Sequence, residues 1–360
     1  MAYGTVNADI VTTSTGQMLG AGNSTAFKNR IINGGMAISQ RGTSFNPATN
    51  ALSLDRWTMR TSPSSSAYSV TQSTSAPTGF SNSLLVTSLG ATSVGSGDYY
   101  SIDQRIETAN AYDLAWGTAS AKTVTLSFWV YSSLTGTFAG GLTEYNSGSV
   151  SYGFNYSIPT ANTWTQISVV ITGPTTGTWN TTLNGGYVTV TFGLGVGSSV
   201  ATPSNNSWVS GNYRTGNGGV NVVSTSGATF YVTGVQLEVG SQATSFDFRD
   251  YGRELILCQR YYSKLDLTKT LVYATTTAYA QGNYRLPVTM RAAPTSIATN
   301  ATNMNELYVA NITGTYVPSS SCDTDSVWIV ATNTGGTAFT ANHQYRFNSV
   351  GCNIDFSSEL

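Results

Sequence analysis

The sequence predicts an all-β protein whose strands form a sandwich or a barrel. Charged residues make up only 9% of its 360 residues, far below the roughly 25% of an average globular protein. Residues that favour the half-buried surface of a strand are abundant, including 21 Tyr. The 37 glycines supply turns between those strands. This content of aromatic and β-branched residues is unlike that of a disordered chain.

Residues 1–28 form a separate N-terminal segment. They are small and polar, and Gly16, Gly20 and Gly22 interrupt any long helix. The segment has too little apolar surface to fold alone, so we expect it to become ordered against a partner or a neighbouring subunit. It has neither the basic nor the apolar region of a secretory signal.

Residues 29–250 carry the main run of strand patterns, in which short apolar or alternating stretches are separated by Gly, Pro, Asn and Ser. Strands without intervening amphipathic helices predict a sandwich or a barrel. Only the stretch 107–117 suggests a short helical turn. The stretches that carry the strand pattern are 52–59, 83–89, 123–131, 163–172, 187–196 and 228–239.

Residues 251–265 break the strand pattern. Charged residues are concentrated there, and apolar residues recur at spacings of three and four, as in an amphipathic helix. We therefore predict a linking helix, either packed around a symmetry axis or packed on its own sandwich. Residues 266–360 return to strand patterns and predict a small C-terminal β-domain.

Four segments resemble a domain that recurs in tail-fibre and related structural proteins of tailed phages, cyanophages especially. The first joins NRIINGGMAISQRGTSF to LSLDRWTMR in residues 29–60, and the second is YYSIDQRIETANAYDLAWGTASAKTVTLSFWVYSSLTGTF, residues 99–138. The third is TFYVTGVQLEVGSQATSFDFRDYGRELILCQRYY, residues 229–262, and the fourth is LPVTMRAAPT, residues 286–295. Together they bracket most of the chain after residue 28. The strands IDQRIE, SFWVY and VQLEVG also resemble those of a galactose-binding-type jelly roll, the fold class of many carbohydrate-binding modules.

The resemblance implies a virion protein, on the tail or the particle surface, that is assembled in the host cytoplasm. It implies that residues 1–28 attach the chain to other virion proteins, with Tyr3, Val6 and Ile10 as anchoring residues. It implies a homo-oligomer, most often a trimer in such fibres. We expect no cofactor, and a structural calcium ion stays open because no ligands for it can be assigned.

No catalytic residue is predicted. A glycosidase needs two carboxylates that flank the scissile bond, and no two acids form a recognisable motif; Asp103 and Arg105 suggest a strand-end ion pair. The only histidine, His343, has no nucleophile motif to serve. A net charge of −1 without clusters of Lys and Arg argues against a nucleic-acid partner.

The three cysteines also suggest no chemical site. Cys258, Cys322 and Cys352 are widely spaced, which makes a disulfide framework or a metal site a poor interpretation. We expect them to be buried as small apolar residues.

Aromatic residues in polar loops are the best candidates for contact with a receptor. Trp57, Trp129 and Trp164 lie between apolar neighbours in strands, so we predict that they belong to the core. By contrast, Trp179, Trp208 and Tyr213 lie in segments rich in Gly, Asn and Ser, where we expect exposed rings. With Asn205 and Asn206 they form the candidate glycan contact, centred on the loop 203–219. The alternative is that these loops fold back and bury Trp208.

Three functions follow in order of preference. The first is a tail-fibre or receptor-binding component that adheres to a host surface glycan or another envelope component. The second is a purely architectural protein of the capsid, neck or head fibre, and the third is a glycan depolymerase.

Overall fold

The computed structural model describes residues 10–12, 18–20, 28–46, 51–63, 65–145, 147–148, 150–267, 270–298, 301–306, 311–347 and 353–360. Tyr3 and Val6 lie outside the described residues, and Ile10 is described only as the first residue of a strand. The chain divides into two compact units, the first ending at Tyr251 and the second running from Gly252 to Glu359.

The first unit contains strands β1 to β14 and three short 3₁₀ turns, Thr108–Asn110, Tyr112–Leu114 and Val222–Ser224. Its strands are β1 (Ile10–Thr12), β2 (Met18–Gly20), β3 (Ser44–Phe45), β4 (Thr58–Ser62), β5 (Tyr68–Ser73), β6 (Ser83–Ser88), β7 (Tyr99–Glu107), β8 (Val124–Ser132), β9 (Gly136–Glu144), β10 (Val150–Ile158), β11 (Thr165–Ile171), β12 (Gly186–Val196), β13 (Trp208–Ser210) and β14 (Thr229–Val239).

Strands β3 to β14 form two six-stranded sheets. Sheet I has the order β13-β10-β9-β12-β7-β4, and sheet II has the order β11-β8-β14-β6-β5-β3. Neighbouring strands are antiparallel, and strands distant in sequence lie side by side, such as β14 between β8 and β6. This is the crossing pattern of a jelly roll. The predicted all-β jelly-roll sandwich is therefore confirmed.

The apolar core of this unit lies between the two sheets. Val188, Val190, Phe192 and Leu194 of β12 are fully buried in it. Thr189 and Thr191 are buried as well, but they point to the opposite face of sheet I, because successive side chains of a strand point to opposite faces. Trp57 is also fully buried, and its Nε1 donates a hydrogen bond to the Asn33 carbonyl over 3.1 Å.

The prediction that Trp129 and Trp164 belong to the core is wrong, because both are only half-buried. Phe128 is buried in β8, so its neighbour Trp129 points to the opposite, outer face of sheet II. Trp164 lies against Tyr131, with 5.5 Å between the ring centroids.

The described residues of the second unit contain nine strands and one helix, α1 (Tyr251–Gln259), whose first residue ends the first unit. The strands are β15 (Tyr262–Asp266), β16 (Val272–Ala274), β17 (Tyr279–Arg285), β18 (Thr295–Ala298), β19 (Ala301–Glu306), β20 (Asn311–Cys322), β21 (Ser326–Gly336), β22 (Gln344–Phe347) and β23 (Asn353–Ser357). Six strands close into a small barrel in the order β16-β17-β21-β20-β19-β22, and β15, β23 and β18 form a separate sheet. Cys258 is buried in α1, as predicted. The same prediction is wrong for Cys322, which is only half-buried at the end of β20, and Cys352 lies outside the described residues.

The helix is shorter than the predicted span 251–265. Tyr261 and Tyr262 are buried, and Tyr262 begins β15, which pairs with β23. Aromatic side chains favour a strand over a helix, and here tertiary pairing ends the helix at Gln259, between one and two turns early. Within the described residues, no helix is both long and apolar enough to cross a membrane.

Candidate ligand-binding site

Five aromatic side chains pack together in the first unit and form what we call the aromatic cluster: Trp116, Tyr152, Trp179, Tyr187 and Trp208. Trp116 lies at its centre, with ring centroids 5.0 Å from Trp179, 6.0 Å from Tyr187 and 5.5 Å from Trp208. Trp179 and Tyr187 are 4.9 Å apart, and Tyr152 lies 5.4 Å from Trp208. Edge-to-face and tilted pairs of this kind each contribute about 0.5–1.5 kcal/mol beyond the burial of area.

Trp116 is placed by a tight chain reversal after the 3₁₀ turn Tyr112–Leu114. Ala115 has a φ of 52° and Gly117 a φ of 83°, and Gly117 is required because a Cβ there would lie 2.5 Å from Trp179 Cδ1. The Trp116 Nε1 donates a hydrogen bond to the Lys122 carbonyl over 2.8 Å. Its ring is only 3% exposed.

The other two tryptophans come from the loop before β12 and from the edge strand β13. Trp179 Nε1 donates to the Thr176 carbonyl over 3.1 Å, and Trp208 Nε1 donates to the Thr172 carbonyl over 2.7 Å. Each polar ring atom therefore has a partner inside the protein. These hydrogen bonds orient the three tryptophan rings within the aromatic cluster.

A pocket of about 300 Å³ opens beside the cluster. Trp116, Trp179 and Tyr187 form its aromatic wall, and Tyr112, 55% exposed, stands at its rim. Asn180 and Thr181 add polar groups, although the Asn180 amide already bonds the Gly186 carbonyl and the Thr182 amide. Trp116, Trp179 and Tyr187 are only 3%, 9% and 2% exposed. The pocket therefore offers the open ring of Tyr112 and the exposed margins of its aromatic wall, bordered by uncharged polar groups.

None of the described residues that line this pocket carries a charge. Burial raises the pKa of Tyr187 to about 12, so its hydroxyl stays neutral and accepts a hydrogen bond from the Trp116 amide over 3.1 Å. Asp113 follows Tyr112 in the chain, but its carboxylate is engaged by Arg30 at 2.5 and 2.8 Å. Partial burial would raise the pKa of Asp113, yet Arg30 and Lys122 outweigh it and hold that pKa below its ordinary value.

The loop that we predicted to contact a glycan folds back onto its own sandwich. Residues 197–221 form the covering loop, which packs on the outer face of sheet I except at β13, the edge strand of that sheet. There Gly141 and Gly153 face each other across β9 and β10. A Cβ on Gly141 would lie 2.3 Å from the Arg214 carbonyl oxygen, and one on Gly153 would lie 2.5 Å from Thr202 Oγ1. The absence of side chains at these two positions lets the loop approach the sheet.

The predicted contact residues separate into two groups. Trp179 and Trp208 come together in the aromatic cluster, with 5.8 Å between their ring centroids. Our expectation that both rings are exposed is wrong, because Trp179 is 9% exposed and Trp208 is half-buried. Of these two, Trp179 lines the pocket and Trp208 does not. The other three residues, Tyr213, Asn205 and Asn206, lie in the covering loop and do not line the pocket either.

Within the covering loop, the predicted residues support the loop itself. Asn205 exchanges hydrogen bonds with the main chain of Asn217 at 2.8 and 3.1 Å. Asn206 has a φ of 60°, and its amide donates to the Gly153 carbonyl. The Tyr213 amide donates to Ser151 Oγ over 3.0 Å.

Tyr112, Trp116 and Tyr187 are not among the site residues predicted from the sequence. The predicted helical turn in 107–117 is present as 3₁₀ turns, and it places two aromatic residues, Tyr112 and Trp116, within five positions beside Gly117. Aromatic residues so close to a glycine reversal are the signal that could have found them. Tyr187 begins an apolar strand and has no such signal.

A buried acid lies elsewhere in sheet I. Asp103 accepts a hydrogen bond from Ser101 Oγ over 2.7 Å and has Arg60 Nε at 3.7 Å. The predicted Asp103–Arg105 ion pair is wrong, because the Arg105 guanidinium lies over the Tyr145 ring at 4.7 Å. Burial raises the pKa of Asp103, while Arg60 and Arg214 act against that rise. Asp103 does not line the aromatic pocket.

The described residues contain no group of three or more Asp, Glu, His or Cys side chains arranged to hold a metal ion. A ligand set for the calcium ion that the sequence left open therefore cannot be named among them.

Comparison with known proteins finds similarity in structure only. No protein-family model matches the chain, and no curated protein sequence matches it. A solved putative sugar-binding protein from Bacteroides thetaiotaomicron aligns with a TM-score of 0.35 and 13% identity, over 59% of this chain and 100% of its own. The CBM22-2 xylan-binding domain from Paenibacillus barcinonensis aligns at 0.30 and 14%, over 55% and 98%.

The enzymatically active domain of tailspike protein 4 from bacteriophage CBA120 aligns with a TM-score of 0.31 and 15% identity. The match covers 59% of this chain and 21% of the tailspike chain, so this chain spans only about a fifth of that protein. Similarities this weak carry no argument about function, and the fold assignment rests on the sheet order described above.

Proposed function

We propose that the first unit binds a neutral sugar ring of a glycan in the aromatic pocket, without cleaving it. The observation that carries this proposal is a pocket with an aromatic wall and no charged lining residue. The apolar C–H face of a sugar ring packs on an aromatic ring, and its hydroxyl groups bond to neutral polar groups at the rim. About 300 Å³ is at the small end of ligand pockets, which suits one ring better than a long chain.

The same chemistry selects against acidic sugars. A carboxylate that enters the pocket would lose hydration without gaining a cationic partner, which costs several kcal/mol. We therefore infer that the ligand is a neutral hexose or pentose residue, at a chain end or on a branch.

We further propose that this binding serves a phage virion as a tail-fibre or receptor-binding component. The four segments that resemble phage structural proteins support this placement, as does a rigid binding unit preceded by the polar residues 1–28. Oligomerisation, with a trimer as the expected form, would add avidity to individually weak sugar sites. Mass spectrometry of purified particles should then find the chain, and its absence from them would contradict this placement.

Catalysis is not part of the proposal. Two carboxylates must flank the bond in a glycosidase, and no acid lines the pocket. We expect no new reducing ends after purified glycan is incubated with the protein.

An architectural role is the second candidate, and one observation favours it. Trp116 and Tyr187 are only 3% and 2% exposed, so most of the cluster's aromatic area is already buried against itself. A purely structural cluster would leave the protein without affinity for any glycan. The rim residue Tyr112 is the position that separates the two roles.

Replacing Tyr112 by alanine is expected to lower glycan affinity at least tenfold, about 1.4 kcal/mol. Because its ring is 55% exposed, the free energy of unfolding should change by less than about 0.5 kcal/mol. Affinity is measured on an array of neutral and acidic oligosaccharides and then by calorimetry on the best neutral one. Leu89→Ala, an exposed apolar residue of the same unit, is the matched control and should bind as the wild type does. No binding to any neutral glycan by the wild type would contradict the proposal.

A further inference from the structure

The small barrel of the second unit presents an unusual outer face. Tyr273, Tyr279 and Trp328 point outward from β16, β17 and β21, and they are 43%, 47% and 41% exposed. Gln281 and Asn283 lie between them on β17. We call these five residues the barrel face.

The strand register fixes this arrangement. Tyr273 pairs with Gln281, and Asn283 pairs with Trp328, so each outermost aromatic residue has an amide residue beside it. The intervening residues Val272, Ala280 and Val327 are buried in the barrel core. Alternation along each strand therefore directs all five side chains to the same, outer side.

The amides of the barrel face are available for a ligand. Within the part of the chain that the structure describes, the side chains of Gln281 and Asn283 make no hydrogen bond. Tyr273 is held by its hydroxyl, which donates to Asn342 Oδ1 over 3.1 Å. The face itself carries no charge, and Arg285 occupies the next outward position at the end of β17.

We propose that the barrel face is a second glycan-binding surface, which takes a neutral oligosaccharide lying across β16, β17 and β21. Sugar rings would pack on Trp328, Tyr273 and Tyr279. The hydroxyl groups of the sugars would bond to Gln281 and Asn283. Tyr273 and Trp328 lie on strands two positions apart in the barrel and are offset by two residues along the strands. This places them roughly 12 Å from each other. That distance suits a short stretch of chain, in contrast to the single ring that fits the pocket.

The area and the charge of the face favour a glycan over a protein partner. At these exposures the three aromatic side chains offer roughly 300 Å² of surface, whereas a stable protein interface buries about 800 Å² on each partner. Amides interrupt the apolar area and would have to be desolvated in a protein interface. An uncharged ligand rich in hydroxyl groups matches both features.

This inference does not depend on the pocket of the first unit. It rests on different residues in a separate compact unit, and either site could be present without the other.

The test uses the full chain and affinity electrophoresis in gels that contain neutral polysaccharides, with xylan, galactan and glucan as probes. The double variant Trp328→Ala, Tyr273→Ala should bind at least one of them at least tenfold more weakly than the wild type. Tyr251→Ala removes an exposed aromatic residue outside the barrel face, 65% exposed, and should leave binding unchanged. Gln281→Ala removes an amide and no ring, and it should weaken binding to the same polysaccharide. Because no aromatic side chain is lost, weaker binding by this variant is not explained by misfolding of the barrel.

The outcomes separate the two sites. If Tyr112→Ala loses binding and the double variant does not, the barrel face is not a glycan site and the pocket stands. If only the double variant loses binding, the barrel face stands and the pocket proposal fails. A wild type that binds none of the polysaccharides would show that the barrel face is not a glycan site. A wild type that self-associates in sedimentation, and loses this self-association when Trp328 is replaced, would show that the face binds a second copy of this chain instead.

Discussion

Replacing Trp116 by alanine is expected to lower the free energy of unfolding of the first unit by about 3–5 kcal/mol. The ring is almost fully buried and contacts three other aromatic rings, so its removal opens a cavity at the centre of the aromatic cluster. It also leaves the Lys122 carbonyl without its Nε1 donor. Trp179 and Trp208 would then lose their common neighbour, and we expect glycan binding to disappear with the pocket wall.

Denaturant titration followed by tryptophan fluorescence measures this effect selectively, because six of the seven tryptophans precede residue 252. Trp116→Phe is the matched control, since it retains an aromatic ring and loses the Nε1 hydrogen bond. Its cost should be clearly smaller. A Trp116→Ala protein within about 1 kcal/mol of the wild type would show that the cluster does not hold the pocket together.

Replacing Gly141 by alanine is expected to detach the covering loop from sheet I. The new Cβ would lie 2.3 Å from the Arg214 carbonyl oxygen and 3.1 Å from the carbonyl carbon. These are backbone atoms that no side-chain rotation can move away, so the loop must shift as a whole. Overpacking of this kind costs about 1–3 kcal/mol.

Limited digestion with trypsin measures the detachment directly, because Arg214 lies in the covering loop at the point of contact. In the wild type its amide donates to the Val200 carbonyl over 2.8 Å, and cleavage after Arg214 should be slow. In Gly141→Ala the cut should appear at least tenfold faster. Gly97→Ala, which adds a methyl group where nothing lies within 4 Å, is the control. Equal cleavage rates in both variants would mean that Gly141 is not needed to seat the loop.

The strand pattern of the sandwich could be predicted because alternation is local information. The stretch 187–196 predicts a strand, and β12 runs from Gly186 to Val196. Where a strand is apolar on both of its sides, the sequence does not show which side chains point to the core and which point to the outer face of the sheet. Trp129 stands next to Phe128 in the apolar run of β8, and only the partner sheet determines which of the two is buried.

The site was only partly predictable because its members are distant in sequence. Trp179 lies in a polar loop, as the sequence indicates, and Trp208 begins the short edge strand β13. Trp116, about 60 residues before Trp179, packs against both of them. Polar neighbours in sequence say little about neighbours in space. The same reason explains the covering loop, whose position depends on Gly141 and Gly153 in strands far from it.

The early end of α1 illustrates the competition between local and tertiary preferences. Apolar spacing predicts a helix through residue 265, yet Tyr262 pairs with Ser357 of β23 and continues as a strand. The pairing partner comes from the end of the chain, so no local pattern could reveal it.

The central claim, that the aromatic pocket holds an intact neutral sugar ring, is tested most directly by a crystal structure of the full chain with the best neutral oligosaccharide from the array. The proposal predicts one sugar ring between Tyr112 and Trp179, with the glycosidic bond uncleaved. A sugar bound away from these residues, or a cleaved product in the pocket, would contradict it.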